Sequence, residues 1–277
     1  FLNRVKNGGT LPQFTSCCPA WVKFVEEFYP EFIPNLSTCK SPQQMFGSTI
    51  KDVLMTRLNK NRDEIVNVSV MPCTAKKYEA PRPEFRVEDI PDVDYVITST
   101  ELIRMIRQAG INFAALEPSE FDAPFGEGTG AGVIFGASGG VMEAALRFAA
   151  NTLGVKPDFT MLRGDAGIRT GEVSLGNIKL RAAVVSGLAN ARKLLDDIKS
   201  GAAQYDIIEV MACPGGCVNG GGQPLHEHHC NTVQQRAQGL FENDTTLAHS
   251  SEENTQLLDV YKSYMGEIGG HKAHELL

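Results

Sequence analysis

The sequence predicts an α/β fold of two lobes, each built on parallel-type β-sheets that are flanked by helices. Two observations predict it. Short β-branched segments alternate with helix-like segments, and two strand-like segments about 140 residues apart both end in Met-x-Cys, at residues 71–73 and 211–213. Because ligands bind at the carboxyl ends of parallel strands, we expect both cysteines at the rim of one cleft between the lobes, where the active site would lie. The alternative is that both endings are coincidences of apolar strands.

Local composition predicts the individual elements. Strands are predicted where β-branched and apolar residues concentrate, at residues 65–70, 94–98, 182–185 and 206–210. A helix capped by Ser99 or Thr100 is predicted to run to about residue 108, and further helices are predicted from 141 to 150 and from 189 to 199. Gly110 and Gly201 mark two of the helix ends. The more polar, helix-like part from about 231 to 277 is expected to form a surface-wrapping tail or peripheral helices.

Composition and charge exclude some functional classes. Hydrophobic residues make up 42% and charged residues 21% of the 277 residues, which is typical of a globular protein. A net charge of −7 is a poor match for nucleic acid, so no nucleic-acid partner is expected. No apolar run of roughly 18 residues is present, so no membrane span is predicted.

The N-terminus bears on the compartment. It is too polar for a signal peptide, and a cytoplasmic protein is expected. Because the sequence does not begin with Met, its true N-terminus is expected to lie upstream, which leaves a periplasmic location open.

The seven cysteines favour metal ligation over disulfides. A chain of this size does not need disulfides to stabilise its core, and Cys213 and Cys217 flank Pro-Gly-Gly, whose glycines allow the backbone to approach a bulky ligand. A four-cysteine iron–sulfur site needs two further ligands. Cys73 is the natural third, and one of the adjacent Cys17 and Cys18 supplies the fourth. The other thiol of that pair would lie beside the site, where a thiol can pass protons.

Five segments of the chain together resemble the iron-only (FeFe) hydrogenases. Three are similar to the signature segments of that family and occur in the same order: TSCCPAW at 15–21, MPCTAKKYE at 71–79 and EVMACPGGC at 209–217. SPQQ at 41–44 and IFGASGGVMEA at 134–144 are also similar. The resemblance covers nearly the whole chain, and the motifs together are far more specific than any single cysteine spacing.

The resemblance implies a cofactor and its ligands. Cys18, Cys73, Cys213 and Cys217 would hold a 4Fe–4S cluster, and Cys217 would also bridge to a diiron subsite that carries carbon monoxide, cyanide and a dithiolate amine. The whole is the H-cluster, and the implied activity is that of a ferredoxin-type hydrogenase, which reversibly reduces protons to dihydrogen. The implied partners are dihydrogen and protons, a ferredoxin or another electron carrier, and maturation enzymes for the diiron subsite.

The resemblance also implies roles for residues around the subsite. Cys17 would be the proton carrier nearest the open iron, and Ser37 falls at the spacing of the family's relay serine. Lys76 would pair with a cyanide ligand, since a cation suits an anion in a dry pocket. The other implied contacts are Met71 and Met211 as soft apolar walls, together with Ser41, Gln43, Phe135 and Gly136.

The chain departs from the family pattern at both ends. The family's proton relay continues to two glutamates on an upstream helix, which would precede Phe1, and the usual C-terminal extension is cut short after Leu277. We therefore expect residues 1–277 to be a partial H-cluster catalytic domain of two lobes, without an accessory ferredoxin-like domain.

Two other functions stay open. A hydrogen sensor could use the same centre at low turnover, and a non-catalytic iron–sulfur assembly relative could keep the cluster cysteines on the same fold. In addition, the composition of residues 226–230, HEHHC, suggests a second metal site. Adjacent histidines on a loop do not all face one ion, and a solvated loop is the simpler interpretation.

Overall fold

The computed structural model describes residues 1–164, 166–225 and 229–277, except for the side chains of residues 229–231. The strands in these ranges are β1 (Gln13–Phe14), β2 (Val68–Met71), β3 (Arg86–Val87), β4 (Ile90–Pro91), β5 (Tyr95–Thr98), β6 (Ile168–Leu175), β7 (Ile178–Ser186) and β8 (Ile207–Met211). The α-helices are α1 (Leu2–Asn7), α2 (Pro19–Phe28), α3 (Pro42–Leu58), α4 (Lys76–Glu79), α5 (Ser99–Gln108), α6 (Gly130–Val133), α7 (Gly140–Leu153), α8 (Leu188–Lys199), α9 (His229–Asp244), α10 (Thr255–Val260) and α11 (His271–Leu276).

The chain forms two compact units. The first unit comprises Phe1–Thr38, Gly128–Asn219 and Glu227–Glu253. The second unit comprises Cys39–Glu127, Gly220–His226 and Asn254–Leu277. Each unit contains parallel strands and helices, which confirms the predicted α/β class.

A four-stranded sheet forms the centre of the first unit. Its strand order is β1-β8-β7-β6, and β1, β8 and β7 run parallel, whereas β6 pairs antiparallel with β7. The turn between β6 and β7 contains Gly176, whose φ of +62° suits glycine. The sequence pattern does not predict this hairpin, because β6 (IRTGEVSL) is largely polar and contains a glycine.

Both faces of the sheet are buried at β8 and the second half of β7, and the residues of β7 show how. Ala183 and Val185 pack in one apolar cluster with α2 and α8, whereas Ala182 and Val184 pack in a second cluster with α7. Successive residues of a strand point to opposite faces. The nearly continuous apolar sequence of residues 182–185 in β7 and of β8 is therefore what a strand covered on both sides requires.

The second unit is built around the parallel pair β2–β5 and the long helix α3. Val68 pairs with Tyr95 and Met71 with Thr98, so both strands end at the same edge. A small apolar cluster joins α3 to the C-terminal helices; its buried members are Val53, Val260, Met265 and Leu276.

Buried charges also take up part of the interior of the second unit. Arg62 is buried and forms ion pairs with Asp52 and Asp92. Lys51 is fully buried, and its Nζ lies 2.8 Å from Asp94. Such charges must be paired, because a buried charge without a partner is costly. The sequence pattern does not reveal this network, since its members are far apart along the chain.

The predicted elements are present with shifted ends. The strand predicted at 65–70 is β2, and the helix predicted at 141–150 is α7. The helix α5 is capped by Thr98 rather than by Ser99 or Thr100. The Thr98 side chain accepts from the Glu101 N–H, and the Glu101 carboxylate accepts from the Thr98 N–H. This reciprocal capping box requires an acid three residues after the cap, which only Thr98 has.

Residues 229–277 contain the helices α9, α10 and α11, in line with the expected helical C-terminal part. Within the described residues, no helix is long and apolar enough to cross a membrane. The composition at 226–230 that suggested a second metal site lies outside the residues and side chains that the structure describes.

Candidate functional site

One edge of the first unit's sheet carries the adjacent cysteines. β1 runs parallel to its neighbour β8, so the residues that follow both strands emerge at the same edge. Thr15 holds the turn after β1, because its N–H donates to the Ile208 carbonyl and its hydroxyl accepts from the Val210 N–H. The indole N–H of buried Trp21 donates to the Thr15 carbonyl at 3.1 Å. The turn is therefore tied both to β8 and to α2.

Cys17 and Cys18 follow Thr15 in this turn and are half-buried. Cys18 is the N-cap residue of α2, where the partial positive charge of a helix start favours a thiolate. Ser37 lies at the same edge, since its N–H donates to the Phe14 carbonyl at 2.8 Å. The structure thus brings the predicted relay serine to the sheet edge that carries both thiols.

The second pair of cysteines follows β8 at this edge. β8 ends at Met211, which is buried, and the half-buried Cys213 comes two residues later. The Gly216 N–H donates to the Cys213 carbonyl at 3.0 Å, and the half-buried Cys217 begins the short 3-10 helix Cys217–Asn219. Gly215 and Gly216 have φ angles of +81° and +98°, which residues with side chains rarely adopt.

This glycine turn packs on the segment that contains Phe135 and Gly136. The Ser138 N–H donates to the Gly215 carbonyl at 3.1 Å. A Cβ on Gly216 would lie 2.6 Å from the Ser138 nitrogen and 2.9 Å from the Gly136 oxygen, so a larger residue does not fit. Phe135 and Gly136 are both half-buried. The predicted Ile134–Ala144 motif is therefore adjacent to the loop of Cys213 and Cys217.

In the second unit, Met71 and Cys73 lie at the carboxyl end of β2. Met71 is the last residue of the strand, Cys73 follows two residues later, and both are half-buried. Glycines pack against this edge: the Gly222 N–H donates to the Pro72 carbonyl at 2.9 Å, and a Cβ on Gly222 would lie 2.8 Å from the Thr98 Cβ. Gly222 is thus needed for close packing next to Cys73.

Lys76, Ser41 and Gln43 meet at one carboxylate. Lys76 is buried, and its Nζ lies 2.9 and 3.1 Å from the two carboxylate oxygens of Glu79. The Ser41 hydroxyl donates to Glu79 Oε2 at 2.8 Å, and Gln43 Nε2 donates to the same oxygen at 3.2 Å. The prediction from sequence misses Glu79, although its spacing of three residues from Lys76 on a helix is a signal for an ion pair.

Glu209 is a second residue that the prediction misses. It lies within β8 and is fully buried, and its carboxylate accepts from the Gly139 N–H at 2.6 Å and the Met142 N–H at 2.7 Å. Burial raises the pKa of Glu209 to about 7, although these N–H donors and the charge of Arg169 oppose the rise. The available signal was an acid inside an otherwise apolar strand, IIEVM.

The predicted site residues fall into two groups. The first unit contains Cys17, Cys18, Ser37, Phe135, Gly136, Met211, Cys213 and Cys217, and the second contains Ser41, Gln43, Met71, Cys73 and Lys76. Among the described side chains, no three cysteine, histidine or acidic groups could hold one metal ion together. A 4Fe–4S cluster does not require that, because each of its irons can take a separate thiolate. Half-buried thiols beside glycine turns are donors that fit such a cluster.

Comparison with protein families places the chain in a class. Residues 1–221 match the iron-only hydrogenase large subunit, C-terminal domain, and residues 230–277 match the iron hydrogenase small subunit. The chain therefore belongs to the iron-only hydrogenase family, as its motifs predict. It carries regions similar to both subunits in one polypeptide.

Individual relatives span this family. Iron hydrogenase 1 of Clostridium pasteurianum is 45% identical over 285 residues, which cover 100% of this chain and 50% of the relative. The cytosolic Fe-S cluster assembly factor narfl of Xenopus tropicalis is 34% identical over 288 residues, which cover 100% of this chain and 60% of that protein. A solved structure of an apo FeFe-hydrogenase of Chlamydomonas reinhardtii matches with a TM-score of 0.84 and 38% identity, over 100% of this chain and 77% of that one. The chain spans about half the length of its curated hydrogenase relatives.

Proposed function

We propose that the chain contains the catalytic centre of an FeFe hydrogenase, which reversibly reduces protons to dihydrogen. In this proposal Cys18, Cys73, Cys213 and Cys217 hold a 4Fe–4S cluster, and Cys217 also bridges to a diiron subsite with carbon monoxide, cyanide and a dithiolate amine. When bound, this cofactor supplies the redox chemistry by which electrons and protons combine. A ferredoxin or another carrier would deliver the electrons, maturation enzymes would supply the diiron subsite, and residues 1–277 would form part of the catalytic domain.

The observation that carries the proposal is the group of thiols at one edge of the first unit's sheet. Cys17 and Cys18 follow β1, and Cys213 and Cys217 follow β8, its parallel neighbour. With Cys73, the chain then offers five candidate thiols, whereas a 4Fe–4S cluster takes four. A fifth thiol beside the ligands is what a proton carrier requires.

Cys17 moves the proton in this proposal. A thiol with an ordinary pKa near 8.5 can release and accept a proton close to neutral pH, whereas an alcohol is far too weak an acid. Ser37 lies at the same sheet edge and would pass the proton on, because a hydroxyl can donate one hydrogen bond while it accepts another.

Other side chains would surround the diiron subsite. Lys76 is buried, and a buried cation interacts strongly with an anion such as cyanide because little water screens the charges. Met71 and Met211 end β2 and β8 and would provide soft apolar walls. The remaining proposed contacts are Ser41, Gln43, Phe135 and Gly136.

One observation favours a second function. A protein named as a cytosolic Fe-S cluster assembly factor matches 100% of this chain at 34% identity. A protein of that kind needs cluster cysteines but has no need of a proton-carrying thiol or of contacts to a diiron subsite. Cys17, Lys76, Met71 and Met211 are all present here, which favours the hydrogenase. A hydrogen sensor would keep the same residues and differ in turnover.

Infrared spectroscopy separates the hydrogenase from the assembly protein. The full-length protein is supplied with iron, sulfide and the diiron subsite and freed of unbound material, and it is then expected to show bands from bound carbon monoxide and cyanide. A protein that assembles a 4Fe–4S cluster but shows no such bands would support the assembly function instead. Hydrogen evolution with a reduced dye then separates an enzyme, with fast turnover, from a sensor, with slow turnover.

A further inference from the structure

We propose that Glu79 is a positioning residue for the diiron subsite, because it holds three side chains that are assigned to that subsite. The inference rests on the proposed function and adds a residue to it. Glu79 would not touch the cofactor. It would act through Lys76, Ser41 and Gln43.

The hydrogen bonds of Glu79 motivate this role. Its Oε2 accepts from Ser41 Oγ at 2.8 Å, from Lys76 Nζ at 2.9 Å and from Gln43 Nε2 at 3.2 Å. The donors come from α4 and from the start of α3, which are separate segments of the chain. An ionised carboxylate has acceptor sites for about four hydrogen bonds, so one side chain can hold all three donors at once.

Charge compensation ties the position of the Lys76 ammonium to Glu79. Lys76 is 8% exposed and Glu79 is 4% exposed, and either charge alone would be costly to bury. A lysine side chain is flexible and rich in rotamers, and the carboxylate three residues along α4 selects one position for its Nζ.

The same carboxylate is linked to β2. The Gln43 amide donates to Glu79 and accepts from the Ser69 hydroxyl at 2.8 Å. Ser69 and Met71 lie on the same face of β2, because they are two residues apart on a strand. Glu79 therefore connects the cation, the amide and the strand that ends in the proposed methionine wall.

Replacement of Glu79 by glutamine tests the inference. Glu79→Gln preserves size and removes the charge, and the exposed Glu84→Gln, whose partner is Arg82, is the matched control. In the full-length protein supplied with the cofactor, Glu79→Gln is expected to keep the 4Fe–4S cluster. Its cyanide bands should shift, and the occupancy of the diiron subsite should fall. Glu84→Gln is expected to match wild type.

Two outcomes would contradict the inference. Unchanged cyanide bands and unchanged occupancy of the diiron subsite in Glu79→Gln would overturn the role of Glu79, whereas a wild-type protein without cyanide bands would overturn the proposed function as well.

A double-mutant cycle tests the pairing without any cofactor. Lys76→Met, Glu79→Gln and the double variant are unfolded with urea, with the exposed Lys77→Met as control. Each single change leaves a buried charge uncompensated. We therefore expect the urea midpoint of the double variant to fall by less than the sum of the falls in the two single variants. Additive losses would contradict the pairing. Should Glu79→Gln fail to fold, Glu79→Asp carries the infrared test, because it keeps the buried charge and Lys76 but shortens the side chain that holds the three donors.

Discussion

At the scale of single residues, the buried acid Glu209 holds a loop in place. Its carboxylate binds the N–H groups of Gly139 and Met142 at the start of α7. Arg169 supports the same segment, since its guanidinium donates to the Ser138 carbonyl at 2.9 Å. Because the Ser138 N–H bonds the Gly215 carbonyl, Glu209 and Arg169 together hold the segment on which the Cys213–Cys217 loop packs.

The pKa of Glu209 predicts a pH dependence of stability. Burial raises this pKa from 4.5 to about 7, so the folded state binds a proton more readily than the unfolded state does. The stability from that proton is fully present below the unfolded pKa near 4.5 and is lost as the pH rises through about 7. Glu209→Gln, which stays neutral, is expected to reduce the difference in urea midpoint between about pH 5 and about pH 8. The exposed Glu172→Gln is the control, and an unchanged pH dependence in Glu209→Gln would refute the prediction.

Cys17→Ser tests the proton carrier. We expect the cluster to assemble as in wild type, as measured by iron content and infrared bands, while hydrogen evolution collapses. The residue beside the diiron subsite must release its own proton, and a serine hydroxyl is far too weak an acid for that, whereas Ser37 would only accept one proton as it donates another. Cys39→Ser is the matched control, since Cys39 is exposed and belongs to no signature segment. Full activity of Cys17→Ser would exclude the role given to Cys17.

At the scale of elements, the sequence predicts the strands and helices, because these depend on local composition. The apolar runs of β7 and β8 predict strands covered on both faces, and the motifs predict which loops follow β2 and β8. Contacts between distant segments are not predicted in the same way. The convergence of Ser41 and Gln43 on Glu79 joins α3 to α4, and no pattern within either segment reveals the partner.

The glycine turn between Cys213 and Cys217 gives a prediction for a loop. In Gly216→Ala, alanine would have to adopt the positive φ of Gly216, and its Cβ would clash with the Ser138 nitrogen. Gly201→Ala is the control, because Gly201 has a φ of +76° but open space around it. We expect Gly201→Ala to cost about 1 kcal/mol of unfolding free energy. Gly216→Ala should cost more, about 2–3 kcal/mol, and should lower the iron content after reconstitution. Equal effects in both variants would contradict the packing role.

At the scale of the whole chain, the region that matches the small subunit packs within both units. In the first unit, Arg236 on α9 donates to the Val218 carbonyl at 2.9 Å, next to Cys217. In the second unit, the Ser48 hydroxyl on α3 donates to the Leu276 carbonyl at 2.7 Å. Residues 230–277 therefore belong to the packing of each unit rather than to a separate module.

Substitution of Asp52 tests how strongly the C-terminal segment is attached to α3 in the second unit. It forms ion pairs with Arg62 and Lys272 and accepts a hydrogen bond from Tyr264. Asp52→Asn leaves part of that charge uncompensated, and we expect a loss of about 3 kcal/mol of unfolding free energy in urea denaturation. Asp259→Asn, whose pair with Lys262 is exposed, should change stability by less than about 0.5 kcal/mol. A small effect of Asp52→Asn would show that the C-terminal helices do not depend on this contact.

Hydrogen evolution is the most direct test of the central proposal. The full-length protein, loaded with the 4Fe–4S cluster and the diiron subsite, is supplied with a reduced dye, and dihydrogen is measured in the gas phase. We expect sustained production that depends on the diiron subsite and is absent from protein that carries the 4Fe–4S cluster alone. A fully assembled cofactor that produces no dihydrogen would contradict the assignment of a hydrogenase.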